Sequence, residues 1–280
     1  MKRLALLVFA LAVVAAASAV LLVAGTTTGA SAAPSALPTV TIAMNGTTVT
    51  VGGTLQSGAV SVVSTVTGEA QGEPTLFALK SGATAAEAFA ALAAHHGDLN
   101  YLDPYGALTF DAYAPKGTSS AQTVLMPGNY VALDTASGSA TPPYTQFIVT
   151  AAAQPATLPA PGGTIRAIDF GFRGNAKLHD GELVRFKNAG FLVHMIDWIG
   201  VKNLATANRV KVLLRAGKDN QAGRLASGFG TFAGPLSRGG LQQLVIHEKP
   251  GVYVLACFMN TQDGREHTQL GMERTIRIVK

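Results

Sequence analysis

The sequence predicts an all-β protein of two tandem β-sandwiches, each with one short helix, behind an N-terminal signal segment. Three observations carry that reading. Runs of Thr, Val and Ile alternate with polar residues and stop at Gly, Pro and Asn, the pattern of half-buried strands joined by tight turns. The pattern occurs twice: Gly58-Ala59-Val60 is matched by Gly181-Glu182-Leu183, and Pro127-Gly128-Asn129-Tyr130-Val131 by Pro250-Gly251-Val252-Tyr253-Val254, both at an offset of 123 residues. A unit of that length can bury its own core, so the repeat marks duplicated domains and not a solenoid. Between the copies, residues 153–163 are rich in Pro, Ala and Gly and read as a linker. The expected organisation is therefore a signal peptide over 1–32, a first sandwich over 38–152, the linker, and a second sandwich over 164–280.

Taken in order, Lys2 and Arg3 precede an apolar run, Leu4 to Ala24, and Ala30-Ser31-Ala32 offers a small-residue cleavage site. A secreted, periplasmic or cell-surface protein is expected, with no stable membrane insertion once the segment is cut. Because the run is long enough to span a bilayer, an uncleaved anchor is the alternative. Ala33 to Pro38 is a short lead. Val40 to Val51 reads as a hairpin about Asn45-Gly46, a dipeptide that accepts positive φ at both turn centres. Gly58 to Val66 is a further strand. Thr84-Ala85-Ala86-Glu87 is a capping box opening an Ala-rich helix to His95-His96, with Gly97 placed to stop it. Adjacent helical residues point about 100° apart, so the two histidines do not share a ligand and are read as imidazoles at the negative end of the helix dipole. Tyr101 to Gly128 is expected to be loop-rich, followed by strands at Gly128 to Leu133 and Gln146 to Thr150. In the second copy the matching helix runs from Thr206, able to cap, to Gly217.

Charge is divided between the copies. Residues 33–155 carry 2 basic against 7 acidic side chains, a balance of −5, and residues 156–280 carry 17 against 9, a balance of +8. The split suits halves that attract each other or a basic face offered to an acidic partner. The basic residues are scattered along strands without interleaved aromatics, so no nucleic acid is expected. There is no Gly-x-Ser-x-Gly elbow and no phosphate-cradling Gly-rich loop opening a helix.

The chemistry gathers at the C-terminus. Cys257 is the only cysteine, and an exported chain with one thiol cannot close an internal disulfide, which leaves a ligand or an odd thiol. It ends the apolar run Gly251 to Cys257, and His267 and Met272 follow within 16 residues. His194 follows Val184 to Val193. Alone, each has a plain reading: a buried Cys, a core Met, a satisfied core His. Together a thiolate, two imidazoles and a weak thioether are the set that selects copper. The repeat provides an internal control, since the first copy has Pro74-Thr75, Asp134 and Thr141-Pro142-Pro143-Tyr144 where the second has His194, Cys257 and the His267 to Met272 segment.

Phe186-Lys187-Asn188-Ala189-Gly190, the nearby His194 and Cys257…His267-x4-Met272 together resemble the cupredoxins, the small blue-copper proteins. The resemblance implies Greek-key sandwiches, the first a degenerate copy without ligands, and one type 1 copper held by His194, Cys257, His267 and Met272. It implies an exported electron carrier and no enzyme of its own. His267 would lie nearest solvent as the electron's exit, and a redox partner would dock near it, an acidic one matching the basic second half. Phe191, Leu192 and Phe258 are expected to shield the metal. Two features depart from the pattern: the Cys-x9-His loop is long, and Met195 stands where many members place a bracing Asn. The Cys257 flanks, Ala256 and Phe258, lack the histidines that couple a blue copper to a second centre. The six histidines, His95, His96, His179, His194, His247 and His267, include no His-x-His pair. A metal-free secreted interaction module and a copper storage or chaperone protein are the other readings.

Overall fold

Alternation drives the first strands. In a computed structural model, which describes residues 36–137 and 141–280, β1 (Thr39–Met44) buries Val40, Ile42 and Met44 and exposes the residues between them. The signal segment expected over 1–32 lies outside the described residues. β1 turns back into β2 (Val49–Gly53), with Met44 paired to Val49. The turn is therefore four residues, not the two expected. Asn45 Oδ1 accepts from the amides of Thr47 (3.0 Å) and Thr48 (2.8 Å), and Gly46 takes φ +83°.

The first copy continues with β3 (Gly58–Gly72), β4 (Pro74–Leu79), β5 (Gly106–Asp111), β6 (Ala114–Leu125), β7 (Gly128–Asp134) and β8 (Tyr144–Val149). Helix α1 (Ala85–Ala94) opens on the expected capping box: Thr84 accepts from the Glu87 amide while Glu87 accepts from the Thr84 amide. It ends one residue before the paired histidines. His95 stacks on Tyr101 with ring centroids 3.5 Å apart, and His96 and Gly97 both take positive φ.

The stretch expected to be loop-rich, 101–128, in fact holds β5 and β6. β6 pairs with β3 over most of its length, but its first half, including Lys116-Gly117-Thr118-Ser119, faces solvent and shows no apolar alternation. Pairing to a long neighbour imposes the strand where the side chains do not announce it.

The second copy holds β9 (Gly163–Ile168), β10 (Gly171–Gly174), β11 (Lys177–His179), β12 (Leu183–Asn188), β13 (His194–Val201), β14 (Ala226–Leu236), β15 (Leu241–Val245), β16 (Gly251–Ala256) and β17 (Glu273–Val279). Its helix α2 (Leu204–Arg215) is capped by Asn203, whose side chain accepts from the Thr206 amide at 2.9 Å, so Thr206 is the capped residue and not the cap.

Topology repeats with the sequence. One sheet of the first copy runs β2-β1-β3-β6 and its counterpart runs β10-β9-β12-β15, each with one parallel pair, β1 with β3 and β9 with β12. The opposing sheets run β5-β4-β7-β8 and β14-β13-β16-β17, the latter extended by β11. The two four-stranded sheets of the first kind join at β6 and β15 through one registered pair, Gln122 with Gln243, whose side chains bond at 3.1 Å. Residues 36–280 thus form one compact unit with a sheet running through both copies. Each copy has its own core, one about Ile42, Leu76, Phe110 and Tyr130, the other about Ile165, Phe186, Leu236 and Leu255.

Candidate metal centre

Strand periodicity places the thiol. Along β16, Tyr253, Leu255 and Cys257 belong to the sandwich core, while Val254 and Ala256 pack under α2. Cys257 thus follows directly on β16, a strand buried on both faces, and continues its inward side. His194 opens β13, which pairs with β16, and Asn188 shapes the loop before it. The fully buried Asn188 amide donates to the carbonyls of Leu192 and Leu236, each at 2.7 Å, and accepts from the Gly190 amide at 2.8 Å.

His267 to Leu270 forms a single 3-10 turn closed by Gly271 at φ +92°, a left-handed cap that an L side chain adopts rarely. That turn returns the Met272 amide to the His267 carbonyl at 2.9 Å and lets the Met272 carbonyl accept from the Cys257 amide at 3.3 Å. The x4 spacing between His267 and Met272 is the length of this turn.

The donors converge. His194 Nδ1 lies 3.1 Å from His267 Nδ1 and 3.8 Å from Cys257 Sγ, and Cys257 Sγ lies 3.4 Å from His267 Nδ1. Among the described residues these three form the one group of His, Cys, Asp and Glu side chains able to hold a metal ion. A planar three-coordinate ion with bonds of about 2.0–2.3 Å separates its donors by about 3.5–4 Å, so the spacing fits within about half an ångström. Met272, fully buried, packs in the same core cluster as Cys257. Two imidazole nitrogens and a sulfur, with a Met in the same core cluster, are a donor set suited to type 1 copper.

Burial leaves all three donors uncharged at pH 7 in the metal-free protein. Burial pushes the Cys257 thiol up to about 12, so a bound cation is what brings out the thiolate, which the Met195 amide approaches at 3.4 Å. Burial, and secondarily the neighbouring His194, pulls His267 down to about 4; burial also lowers His194. Both imidazoles are neutral at pH 7 and keep a lone pair to offer.

Besides Asn188 of the Phe186 to Gly190 motif, three residues that sequence reasoning did not single out complete the surroundings. Asp169 Oδ1 lies 3.0 Å from His194 Nε2. Phe170 sets its ring edge-on to His267, with centroids 5.4 Å apart. Asn100, from the first copy, accepts from the Val193 amide at 2.9 Å and donates to the Asn260 carbonyl at 3.1 Å, so one amide side chain ties down both donor-bearing loops. Val193 and Met259 pack beside Phe77, Leu102 and Leu133 of that copy. The long Cys-x9-His loop is also braced internally, by Thr261 N to the Arg265 carbonyl (2.9 Å) and by Arg265 Nε to Asp263 (2.8 Å).

Two expectations are corrected. His267 is not nearest solvent: it is fully buried, and its Nε2 has no hydrogen-bond partner. Phe258 does not shield the donors; it packs with the α2 cluster and against Phe229, because even-numbered residues of this strand face the helix. Phe191 is 74% exposed and Leu192 half-buried, and the cover over His267 is Phe170.

No protein-family model and no curated protein matches the chain. Among solved structures, it is similar to a dithionite-reduced auracyanin from Roseiflexus castenholzii, with 18% identity over 42% of this chain and 95% of that one and a TM-score of 0.26. It is similar to an azurin from Methylomonas sp. strain J, with 17% identity over 42% and 96% and a TM-score of 0.24. A copper-containing nitrite reductase from Thermus scotoductus is 11% identical over 89% of this chain and 69% of that one, with a TM-score of 0.25. Roles of individual residues rest on the geometry above.

Proposed function

We propose that the chain is an exported electron carrier with one type 1 copper, held by His194, Cys257, His267 and Met272 in the second of two domains, 38–152 and 164–280. The observation that carries this is the convergence of two Nδ1 atoms and one Sγ within 4.8 Å of one another, all fully buried. Bound copper supplies a one-electron couple. The protein holds the donors in a fixed, dry cage, which limits rearrangement between oxidation states. The copy repeat supports the reading, since the first copy keeps the same strand order while Asp134 and Pro74-Thr75 replace the donors.

The partner is a redox protein that docks above the imidazoles. Phe170 and Phe191 are exposed beside the two histidines, and the Arg238 guanidinium lies 5.8 Å from the Phe191 ring centroid. An apolar patch with Arg238 at its edge suits a partner that offers an acidic group to that side chain. Export rests on residues 1–32; among the described residues no helix is long and apolar enough to cross a membrane.

Electrochemistry of the copper-loaded mature chain tests the proposal. A reversible one-electron wave is expected, with neither nitrite reduction nor oxygen consumption beyond background. Copper bound without a reversible wave would favour storage, and turnover of nitrite or oxygen would make it an enzyme. Phe191→Ala and Arg238→Glu are expected to slow exchange with an acidic redox protein while leaving the wave unchanged.

A further inference from the structure

The turn between β9 and β10 consists of two residues, Asp169 and Phe170, since Ile168 pairs with Gly171. Phe170 takes φ +59°, a conformation that two-residue turns usually give to Gly or Asn and that aromatic residues rarely adopt. The unusual residue brings its ring to His267, and the residue before it reaches His194, so one turn touches both imidazoles.

The Asp169 carboxylate is held from three sides. Its Oδ1 accepts from His194 Nε2 at 3.0 Å, from the Phe191 amide at 2.8 Å and from the Leu192 amide at 3.2 Å, and Oδ2 takes a second contact from Phe191 at 3.0 Å. Gly190 leaves room for this: a Cβ there would come within 2.6 Å of both Asp169 Oδ1 and His194 Nε2. A carboxylate accepts only, so the proton it receives sits on Nε2, and His194 Nδ1 then turns an open lone pair toward Cys257 and His267.

We infer that Asp169 is a positioning residue of the centre: it fixes the tautomer and ring orientation of His194, and its negative charge strengthens that imidazole as a donor to the oxidised ion. A carboxylate on the far nitrogen raises electron density at the near one, and a fixed negative charge close to the metal favours the higher oxidation state. The inference rests on the copper reading for its second half only. The tautomer is a property of the metal-free protein.

Asp169→Ala and Asp169→Asn separate this role from that of a clip for residues 190–192. Asn keeps an acceptor for the Phe191 and Leu192 amides but removes the charge; Ala removes both. In ¹⁵N-histidine-labelled metal-free protein, NMR is expected to show the Nε2-protonated tautomer of His194 in the wild type and a mixture in Asp169→Ala. Copper(II) affinity is expected to fall 10- to 100-fold in Asp169→Ala. The reduction potential of Asp169→Asn is expected to lie above that of the wild type, a shift that a loop clip would not produce. A mixed tautomer in the wild type, or an Asp169→Asn potential equal to the wild type, would overturn the inference. If no variant takes up copper, the metal reading fails while the tautomer result still decides the role of Asp169.

Discussion

Asn100→Ala tests whether the donor-free copy supports the metal centre. The truncation removes the acceptor of the Val193 amide, one residue before His194, and the donor to the Asn260 carbonyl, three residues after Cys257. The Val193 bond is partly buried, and an amide left there without a partner costs about 1–3 kcal/mol. The Asn260 carbonyl is exposed and turns to water, adding little. A unit of this size loses about 2–4 °C of Tm per kcal/mol, so a fall of roughly 2–12 °C is expected by calorimetry of the metal-free protein. Slackening both donor loops is also expected to weaken copper binding, so the rise in Tm on adding copper should be smaller than in the wild type. A variant with unchanged metal-free Tm and an unchanged copper-induced rise would refute the bracing role.

Asp197 gives the stability a pH slope. It is buried on β13, and burial raises its carboxyl from 3.8 to about 8. Between those values the native state keeps a proton that the unfolded chain has lost, so stability falls as pH rises, by up to about 1.4 kcal/mol per unit. His267, lowered from 6.5 to about 4, contributes the opposite slope at acid pH, while Asp111 and Glu248, both raised by burial and the latter to about 7, add slopes of the same sign as Asp197. Urea unfolding between about pH 6.5 and 8 should show the slope in wild type and a shallower one in Asp197→Asn; equal slopes would rule the carboxyl out. Gly234→Ala tests the contact between copies, because a Cβ there would lie 1.7 Å from the buried Asp111 Oδ1 of the first copy. Its urea midpoint should fall by the equivalent of about 2 kcal/mol or more, and an unchanged midpoint would mean the two strands do not press together as described.

Local signals were readable from sequence where one residue performs one task. The Thr84 and Glu87 box and the alternation in β1 each depend on neighbours a few residues away. The convergence of His194, Cys257 and His267 was readable for a different reason: soft side chains are scarce here, and the donor-free repeat showed which positions the fold itself does not require. Asp169, Phe170 and Asn100 could not be read in this way. Asp169 is 25 residues from the histidine it touches and Asn100 is 93 from Val193, and nothing in an Asp or Asn at a turn points to a particular partner. The joining of β6 to β15 was hidden because a single registered pair leaves no pattern in either strand. His267 is covered by Phe170 of the turn between β9 and β10, so its buried position was not visible in the C-terminal segment alone.

The central claim is that His194, Cys257 and His267 present their donor atoms to one copper ion. Titration of the purified, metal-free mature chain with copper(II), followed in the visible range, tests it most directly. One equivalent is expected to give an intense thiolate-to-copper band that saturates at a 1:1 ratio, with Cys257→Ser remaining colourless. A wild-type sample that stays colourless, or a Cys257→Ser variant with the same band, would contradict the account.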